Sequence, residues 1–244
     1  MRQALVLVLV LALLLAGPAA AQPAQGPVLR PGIGEADPRR PVNLEDAPWR
    51  ALARVQLEIG GRCTGALIGP RQMLTAAHCL VAPRSRAFVQ PGTIHVLLGY
   101  DRGAARGHAR AIAYRTGPGF DPARGGPASS DWAILTLDAP LGTPDRILPL
   151  LPATPAPRAP LMLGGYQQDR PEVILADTAC RLIGRSSDGP RTMLIHDCAG
   201  TRGSSGAPLL SRGPDSAWAI AGIASRVAGA AALGAAVPAA AIRP

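Results

Sequence analysis

Lysine is absent from this 244-residue chain, and aromatic side chains are scarce. All 25 basic residues are arginine, and with 16 acidic residues they leave a formal net charge of +9 at pH 7. The three Trp, three Tyr and two Phe make up only 3% of the residues. Proteins that bind single-stranded nucleic acids combine basic residues with aromatic side chains on which bases stack. Because the arginines here are scattered and aromatic residues are few, we expect no nucleic-acid partner.

Only one long apolar run is present, and it stands at the start of the chain. Met1-Arg2 is positively charged, Ala4–Ala16 is apolar, Gly17-Pro18 interrupts the run, and Ala19–Ala21 resembles an Ala-x-Ala cleavage site. This order predicts a signal peptide over residues 1–21 that is removed on export. The apolar run is shorter than the roughly 20 residues that span a bilayer. We therefore expect a periplasmic or secreted protein without stable membrane insertion; an uncleaved N-terminal anchor is the alternative.

Cysteine is limited to four residues, and no Cys-x-x-Cys pair occurs. The intervals Cys63–Cys79 and Cys180–Cys198 lack the paired ligands of a zinc site. We therefore expect neither a metal site nor a cofactor. In an exported protein, four cysteines instead indicate two disulfides. Their number alone leaves all three possible pairings open.

The chain divides into regions of different composition. Residues 22–48 are rich in Pro, Gly and charged residues, which predicts a poorly packed N-terminal extension or propeptide. From Trp49 onward, short apolar runs alternate with Gly, Pro, Asp and Arg, as in an all-β sandwich or barrel. About six candidate strands lie on each side of a Pro-rich passage. We therefore expect a first domain over 49–138, a linker over 139–158 and a second domain over 159–244.

A histidine motif and an aspartate motif stand in the first domain. Thr75-Ala-Ala-His-Cys79 follows an apolar strand, and a general base such as His78 must be held in one orientation. A disulfide at Cys79 would hold it, and Cys63, across an expected hairpin, is the natural partner. Asp131 opens the apolar run Asp131-Trp-Ala-Ile-Leu135, where a carboxylate is costly unless it has a partner such as a histidine. A structural histidine and a turn-capping aspartate are the alternatives.

A serine between glycines stands in the second domain, in Thr201-Arg-Gly-Ser-Ser-Gly-Ala-Pro208. Gly203 and Gly206 allow a tight turn, so that backbone N–H groups can point at one spot beside the Ser205 hydroxyl. Such a turn suits a nucleophile with an oxyanion hole when a base stands nearby. Taken alone, a Gly/Ser cluster more often marks an ordinary loop.

Together, and in this order, the three motifs resemble those of the chymotrypsin/trypsin-like serine proteases. Thr75–Cys79 matches the family's histidine motif, Asp131–Leu135 its aspartate motif and Gly203–Pro208 its serine motif. The order His, Asp, Ser differs from that of subtilisins and α/β-hydrolases. The resemblance implies an all-β, chymotrypsin-like fold of two packed six-stranded antiparallel β-barrels, with the active site in the cleft between them.

The resemblance also implies a function and roles. Ser205 would attack the scissile carbonyl, His78 would act as base and then acid, and Asp131 would orient His78. The N–H groups of Gly203 and Ser205 would form the oxyanion hole. The chain would then be an exported serine endopeptidase, with protein or peptide substrates, and we expect a monomer.

Two departures indicate a bacterial branch of the family. Ser204 stands where animal trypsins have the aspartate that pairs with the α-amino group freed by zymogen cleavage, so we do not expect that form of activation. The Ser-Ser-Gly variant and the segment Ile33–Arg39 resemble bacterial glutamyl endopeptidases. We call Thr201–Pro208 the serine loop. We also expect Cys198 to pair with Cys180, closing the second barrel near the serine loop.

Five residues are expected in the substrate-binding region: Ala199, Arg202, Ala224, Ser225 and Arg226. Ala199 stands where trypsins have an acid, and Ala224 where glutamyl endopeptidases have a histidine, so neither charge-selective pocket is expected. Ser225 matches a serine that hydrogen-bonds the catalytic aspartate. Either arginine could favour an acidic substrate group; solvated surface charge is the alternative.

A second function is also compatible with the composition. A protease-fold module without catalytic turnover could bind anionic envelope polymers through a positively charged surface. His95, His108 and His196 lie outside the three motifs, and the sequence assigns them no role.

Overall fold

A computed structural model describes the chain over residues 31–229 and 231–244. The predicted signal peptide, residues 1–21, lies outside the described residues. No described helix combines the length and the apolar character needed to cross a membrane.

The regular structure of the described residues consists of strands and short 3-10 helices. The strands are β1 (Arg40–Pro41), β2 (Leu52–Leu57), β3 (Arg62–Gly69), β4 (Gln72–Thr75), β5 (Ile94–Leu98), β6 (Gly107–Thr116), β7 (Ala133–Leu137), β8 (Pro160–Gln167), β9 (Arg170–Asp188), β10 (Arg191–His196), β11 (Pro208–Arg212), β12 (Trp218–Val227) and β13 (Gly234–Pro238). The 3-10 helices are Trp49–Ala51, Ala77–Leu80, Pro91–Thr93, Ala128–Ser130, Pro144–Arg146 and Ala239–Ala241.

The first barrel is a closed antiparallel sheet in the order β2-β3-β4-β7-β6-β5. Along β5, buried residues alternate with partly exposed ones, because successive side chains of a strand point to opposite faces. The inward side chains form one apolar cluster that includes Leu67, Met73 and Leu135, all of them fully buried. Closure leaves the six strands without a free edge.

The second sheet has the order β1-β9-β10-β13-β12-β11-β8, and β9 also pairs with β8. Strands β8 to β13 therefore form a closed circuit of antiparallel pairings. The 19-residue β9 makes this possible, because its first part pairs with β8 and its second part with β10. A second apolar cluster, which includes Leu163, Leu182 and Leu209, fills this barrel. The predicted all-β fold with two six-stranded antiparallel barrels is confirmed, with β1 as an added strand.

The N-terminal segment is better packed than its composition indicates. Of the segment predicted to be poorly packed, residues 22–30 lie outside the described residues, and within 31–48 most residues are exposed while a few are firmly packed. Here β1 pairs with β9, Ile33 is 2% exposed, and Gly32 is hydrogen-bonded to the backbone of Ala228 and Gly200 at 2.8 and 2.9 Å. A segment rich in Pro and Gly cannot form a hydrophobic core of its own. It can still pack a few side chains against the surface of a barrel that already has a core. We call residues 31–41 the N-terminal strap.

The two barrels meet along a shared apolar cluster that contains Leu52 from the first and Tyr166 and Ile223 from the second. Polar contacts fix their relative position. The Tyr166 N–H donates to Thr64 Oγ1 at 2.9 Å, and the Thr64 hydroxyl donates to the Gly203 carbonyl at 2.9 Å. The cleft between the barrels therefore has a defined geometry at Gly203, where the serine loop begins its turn.

Candidate active site

His78 lies at the mouth of the first barrel. Strand β4 ends at Thr75, and the short helix Ala77–Leu80 then turns the chain across the barrel end. A disulfide between Cys63 of β3 and Cys79 ties this helix to the barrel wall. The His78 side chain is 35% exposed, so the ring is fixed by its neighbours yet open to the cleft.

Asp131 is bonded to both the backbone and the ring of His78. Its side chain is 2% exposed, and its Oδ2 lies 2.7 Å from His78 Nδ1. The His78 backbone N–H donates to Oδ1 at 2.9 Å, and the Ser225 hydroxyl donates to Oδ2 at 2.5 Å. Burial alone would raise the pKa of Asp131, but the hydrogen bonds from His78 and Ser225 outweigh it and hold the pKa below its ordinary value. An ionised carboxylate only accepts, so Nδ1 carries the proton and Nε2 is free to act as a base.

Ser205 lies on a loop that is pressed against the strand leading to His78. Gly206 has a φ of +78°, and a Cβ there would lie 2.2 Å from Thr75 Oγ1 and 2.3 Å from the Thr64 carbonyl. Only glycine allows that approach. No hydrogen bond joins the Ser205 hydroxyl to the His78 ring within the described residues, and such bonds often form only when substrate is bound.

The backbone N–H groups of the serine loop fall into two kinds. The Ser204 N–H donates to the Thr201 carbonyl at 3.0 Å, and the Gly206 N–H donates to the Ala224 carbonyl at 2.8 Å. By contrast, the N–H groups of Gly203 and Ser205 donate to no acceptor in the described part of the chain. Gly203 has a φ of +92°, and a Cβ there would lie 2.3 Å from the Tyr166 carbonyl. Two unpaired donors therefore flank Ser204, on the residues from which an oxyanion hole is predicted.

A cavity of about 150 Å³ opens beside Ser205. Of the five residues predicted for substrate binding, Arg202, Ala224, Ser225 and Arg226 line it. Ala199 does not: it is fully buried, and its N–H donates to Asp177 Oδ2 at 2.9 Å.

Two further residues, His196 and Thr201, line the same cavity and were missed as site residues by the sequence analysis. The one sequence signal for His196 is its place two residues before Cys198. That cysteine forms a disulfide with Cys180 in the second barrel.

A buried network supports the serine loop from the N-terminal strap. The Arg39 side chain is fully buried; it pairs with Asp37 and Asp169 at 2.8 and 2.7 Å and donates to Gln167 Oε1 at 2.5 Å. Burial alone would lower the pKa of Arg39, but its hydrogen bonds to the two carboxylates raise it above its ordinary value. The same Gln167 oxygen accepts from the Thr201 N–H at 2.8 Å. The strap thus reaches the first residue of the serine loop, which no local sequence pattern indicates.

Two groups of side chains of metal-ligating type occur among the described residues: Cys63, His78 and Cys79, and Cys180, Asp197 and Cys198. In each group both sulfurs belong to a disulfide. The thiolate, not the disulfide sulfur, is the metal ligand. The donor chemistry of these groups therefore does not suit a metal ion.

Comparison with known proteins gives related results at three levels. The family profile described as Trypsin matches residues 39–243. A glutamyl endopeptidase of Bacillus licheniformis is 31% identical over 126 residues, which cover 49% of this chain and only 37% of that protein.

Two solved structures share the fold. A Glu endopeptidase in complex with MPD has a TM-score of 0.71 at 21% identity, covering 85% of this chain and 93% of that one. A human heparin binding protein has a TM-score of 0.64 at 21% identity, covering 83% and 91%.

Proposed function

This chain belongs to the trypsin family, and from that premise we propose that it is an exported serine endopeptidase. It hydrolyses protein or peptide substrates through an acyl-enzyme formed on Ser205. The observation that carries the proposal is the contact of 2.7 Å between Asp131 Oδ2 and His78 Nδ1, which leaves Nε2 of the partly exposed ring available as a base. The relative named glutamyl endopeptidase supports the reaction type.

The proposed reaction has two halves. Ser205 Oγ attacks the scissile carbonyl carbon while its proton passes to His78 Nε2. The C–N bond then breaks, and His78 returns the proton to the departing amine. In the second half, water attacks the ester with His78 again as base, which releases the acid product and restores Ser205. Asp131 orients the ring and stabilises its protonated form throughout.

The proposed oxyanion hole consists of the Gly203 and Ser205 N–H groups. Both are unpaired within the described residues, and the positive φ of Gly203 sets the direction of its peptide. They would stabilise the negative oxygen of the tetrahedral intermediate. Losing one such donor typically costs about 10²–10³ in rate.

We also propose that the protein is active without the trypsin type of N-terminal switch. Ser204 replaces the aspartate of that switch, and its hydroxyl donates to the Thr201 carbonyl at 2.6 Å. This bond lies within the loop itself and needs no newly freed α-amino group.

Substitution of Ser205 tests the proposal. Ser205→Ala should abolish both casein hydrolysis and labelling by an organophosphonate, while Ser187→Ala, at an exposed position of β9, should leave both unchanged. Hydrolysis that survives Ser205→Ala would refute the proposed nucleophile.

A second candidate function follows from charge. The chain carries a net charge of +9, and one structural neighbour is named for binding heparin. A protease-fold module for anionic envelope polymers would bind a heparin-like polymer in a salt-sensitive way and would not be labelled by the organophosphonate in its folded form.

A further inference from the structure

One residue of the first barrel is bonded to both residues of the proposed oxyanion hole. Thr64 lies in β3 and is fully buried. Its hydroxyl donates to the Gly203 carbonyl at 2.9 Å, and its backbone N–H donates to the Ser205 carbonyl at 2.9 Å. Gly203 and Ser205 are the residues whose own N–H groups donate to no acceptor in the described part of the chain. Thr64 therefore holds the carbonyl of each residue whose N–H is left open.

Both peptide groups that flank Gly203 are fixed by hydrogen bonds. The Arg202 carbonyl accepts from the Gln168 N–H at 2.7 Å. The next peptide, which joins Gly203 to Ser204, is bonded at both ends, because its N–H donates to the Thr201 carbonyl at 3.0 Å and its oxygen accepts from Thr64. Glycine places few restraints of its own on the backbone. The direction of the Gly203 N–H therefore depends on these bonds, and the bond from Thr64 is the one that a side-chain substitution can remove.

The Thr64 hydroxyl is itself held in one orientation. Its Oγ1 accepts from the Tyr166 N–H at 2.9 Å. A hydroxyl has one proton to donate, and the position of Tyr166 leaves that proton to the Gly203 carbonyl. A Cβ on Gly165 would lie 2.6 Å from Oγ1, so this glycine provides the space that the hydroxyl occupies. The bond to Gly203 thus belongs to a closely packed junction of the two barrels.

The residue before Thr64 holds the other half of the site. Cys63 forms the disulfide with Cys79, which directly follows His78. Successive side chains of a strand point to opposite faces, so Cys63 is directed to the helix that carries the base and Thr64 to the second barrel. Two consecutive residues of β3 therefore fix the base and the serine loop relative to one another.

We propose that Thr64 is a positioning residue for the oxyanion hole. Its hydroxyl fixes the peptide between Gly203 and Ser204, so that the Gly203 N–H points at the negative oxygen of the tetrahedral intermediate. Thr64 acts through this peptide and not by contact with the substrate. Because the charge on that oxygen develops during the reaction, the effect falls on the transition state and not on the bound substrate. This inference rests on the proposed function, since it treats the two open N–H groups as an oxyanion hole.

Steady-state kinetics on a fluorogenic peptide test the role of the hydroxyl. Thr64→Val keeps the size and branching of the side chain but cannot donate to Gly203, so kcat should fall about 10²-fold with little change in KM. Thr64→Ser and Thr64→Ala form a second pair, because both lack the methyl group and they differ only in the hydroxyl. Thr64→Ser should retain most of the wild-type kcat, and Thr64→Ala should lose about as much as Thr64→Val. Thr136→Val, at an exposed threonine of the first barrel, is the matched control.

Inhibitor binding separates positioning from general damage to the site. With a peptide trifluoromethyl ketone, Ser205 Oγ bonds to the ketone carbon, its proton passes to His78, and the ketone oxygen becomes negative. Thr64→Val should weaken binding of this ketone about 10²-fold. The uncleaved peptide, titrated calorimetrically into Ser205→Ala with and without Thr64→Val, should bind equally well, because it carries no such charge. A purely structural role for Thr64 would weaken both ligands.

Amide hydrogen exchange followed by NMR observes the loop without turnover. If the Thr64 hydroxyl fixes the peptide between Gly203 and Ser204, the Ser204 N–H should exchange at least about tenfold faster in Thr64→Val. The N–H of Val96, which is buried in β5 of the first barrel, should exchange at the wild-type rate and serves as the internal control.

The outcomes separate the two proposals. Equal kcat values for Thr64→Ser and Thr64→Ala, or an equal loss of affinity for the ketone and the uncleaved peptide, overturn the role of the hydroxyl. The Ser/Ala pair decides this point even if Thr64→Val does not fold. Wild-type protein that neither hydrolyses the peptide nor reacts with the organophosphonate refutes the peptidase. In that case faster exchange at Ser204 still supports the positioning of the loop by Thr64, and unchanged exchange overturns it.

Discussion

The two barrels bring different kinds of polar group to the cleft. The first barrel contributes a carboxylate whose bonds are complete: Asp131 accepts from the His78 backbone, from the His78 ring and from one serine hydroxyl. From the second come groups that are open: the N–H groups of Gly203 and Ser205 and both ring nitrogens of His196. A complete network holds a residue in one orientation, whereas an open group has capacity for a ligand. In the proposed function, the first barrel positions the base, and the second provides the open groups for the substrate.

Substitution of Asp131, the carboxylate whose bonds are complete, should have the largest effect on kcat. Asp131→Asn preserves the shape of the side chain, but its amide can donate as well as accept and therefore favours the wrong tautomer of His78. We expect kcat to fall about 10⁴-fold, measured by steady-state hydrolysis of a peptide, with a circular dichroism spectrum like that of the wild type. Asp121→Asn, in a surface turn, is the control. A loss of less than tenfold would show that Asp131 does not orient the base.

The next largest effect is expected in the pH dependence of the unfolding free energy, to which His196 of the second barrel and Asp131 of the first contribute differently. The pKa of His196 is lowered to about 4 from an ordinary 6.5, so the unfolded chain binds a proton that the folded one excludes. The stability contribution is therefore complete above pH 6.5 and is lost as the pH falls from 6.5 to 4, by up to about 3 kcal/mol. The pKa of Asp131 is also lowered, so its contribution is lost only below its ordinary 3.8.

Urea unfolding at several pH values measures this difference. His196→Leu should flatten the dependence between pH 6.5 and 4, whereas Asp131→Asn should leave that window unchanged. A wild-type unfolding free energy that stays constant across the window would contradict the buried neutral imidazole.

The strap gives a third comparison, because its strand pairing and its buried arginine bind it to the second barrel. Arg39→Met removes the guanidinium that is bonded to Gln167, Asp37 and Asp169, and it should lower the unfolding free energy by about 2 kcal/mol. We also expect a lower kcat with little change in KM, since the serine loop loses its support through Thr201. Arg40→Met is the matched control, because its exposed side chain bonds only to backbone carbonyls. Equal effects of the two substitutions would contradict a specific role for the buried arginine.

The smallest expected effect concerns the bond between Ser225 and Asp131. The Ser225 hydroxyl comes from the second barrel and donates to Asp131. Ser225→Ala removes one of several bonds to that carboxylate, so kcat should fall by about tenfold. Steady-state hydrolysis of the peptide used for Asp131→Asn measures it, and Ser187→Ala serves as control. A fall as large as that of Asp131→Asn would mean that this bond alone orients the carboxylate.

Motifs whose residues lie together in the sequence carry the clearest predictions. Thr75–Cys79 and Gly203–Pro208 each carry their chemistry within a few positions, because a turn or short helix must present the side chain. The all-β fold followed from apolar runs bounded by turn residues. The two disulfides of the structure, Cys63–Cys79 and Cys180–Cys198, are also the pairs that the sequence favoured.

What the sequence missed depends on register between distant strands. Ala224 stands where glutamyl endopeptidases have a histidine, while His196 lines the cavity from the end of β10, which pairs with β13. A local pattern cannot show that Gly234 leaves room for the ring. The strap was misjudged for a similar reason, since its composition describes its own packing potential and not the surface that receives it.

The bonds of Arg39 also join distant parts of the chain. Its partners Gln167 and Asp169 follow 128 and 130 positions later. Closing so long a loop carries an entropic cost that the buried contacts must offset. If the strap were detached, Gln167, which accepts from the Thr201 N–H, would lose its bond from Arg39. The serine loop is therefore supported by residues from near the start of the described chain.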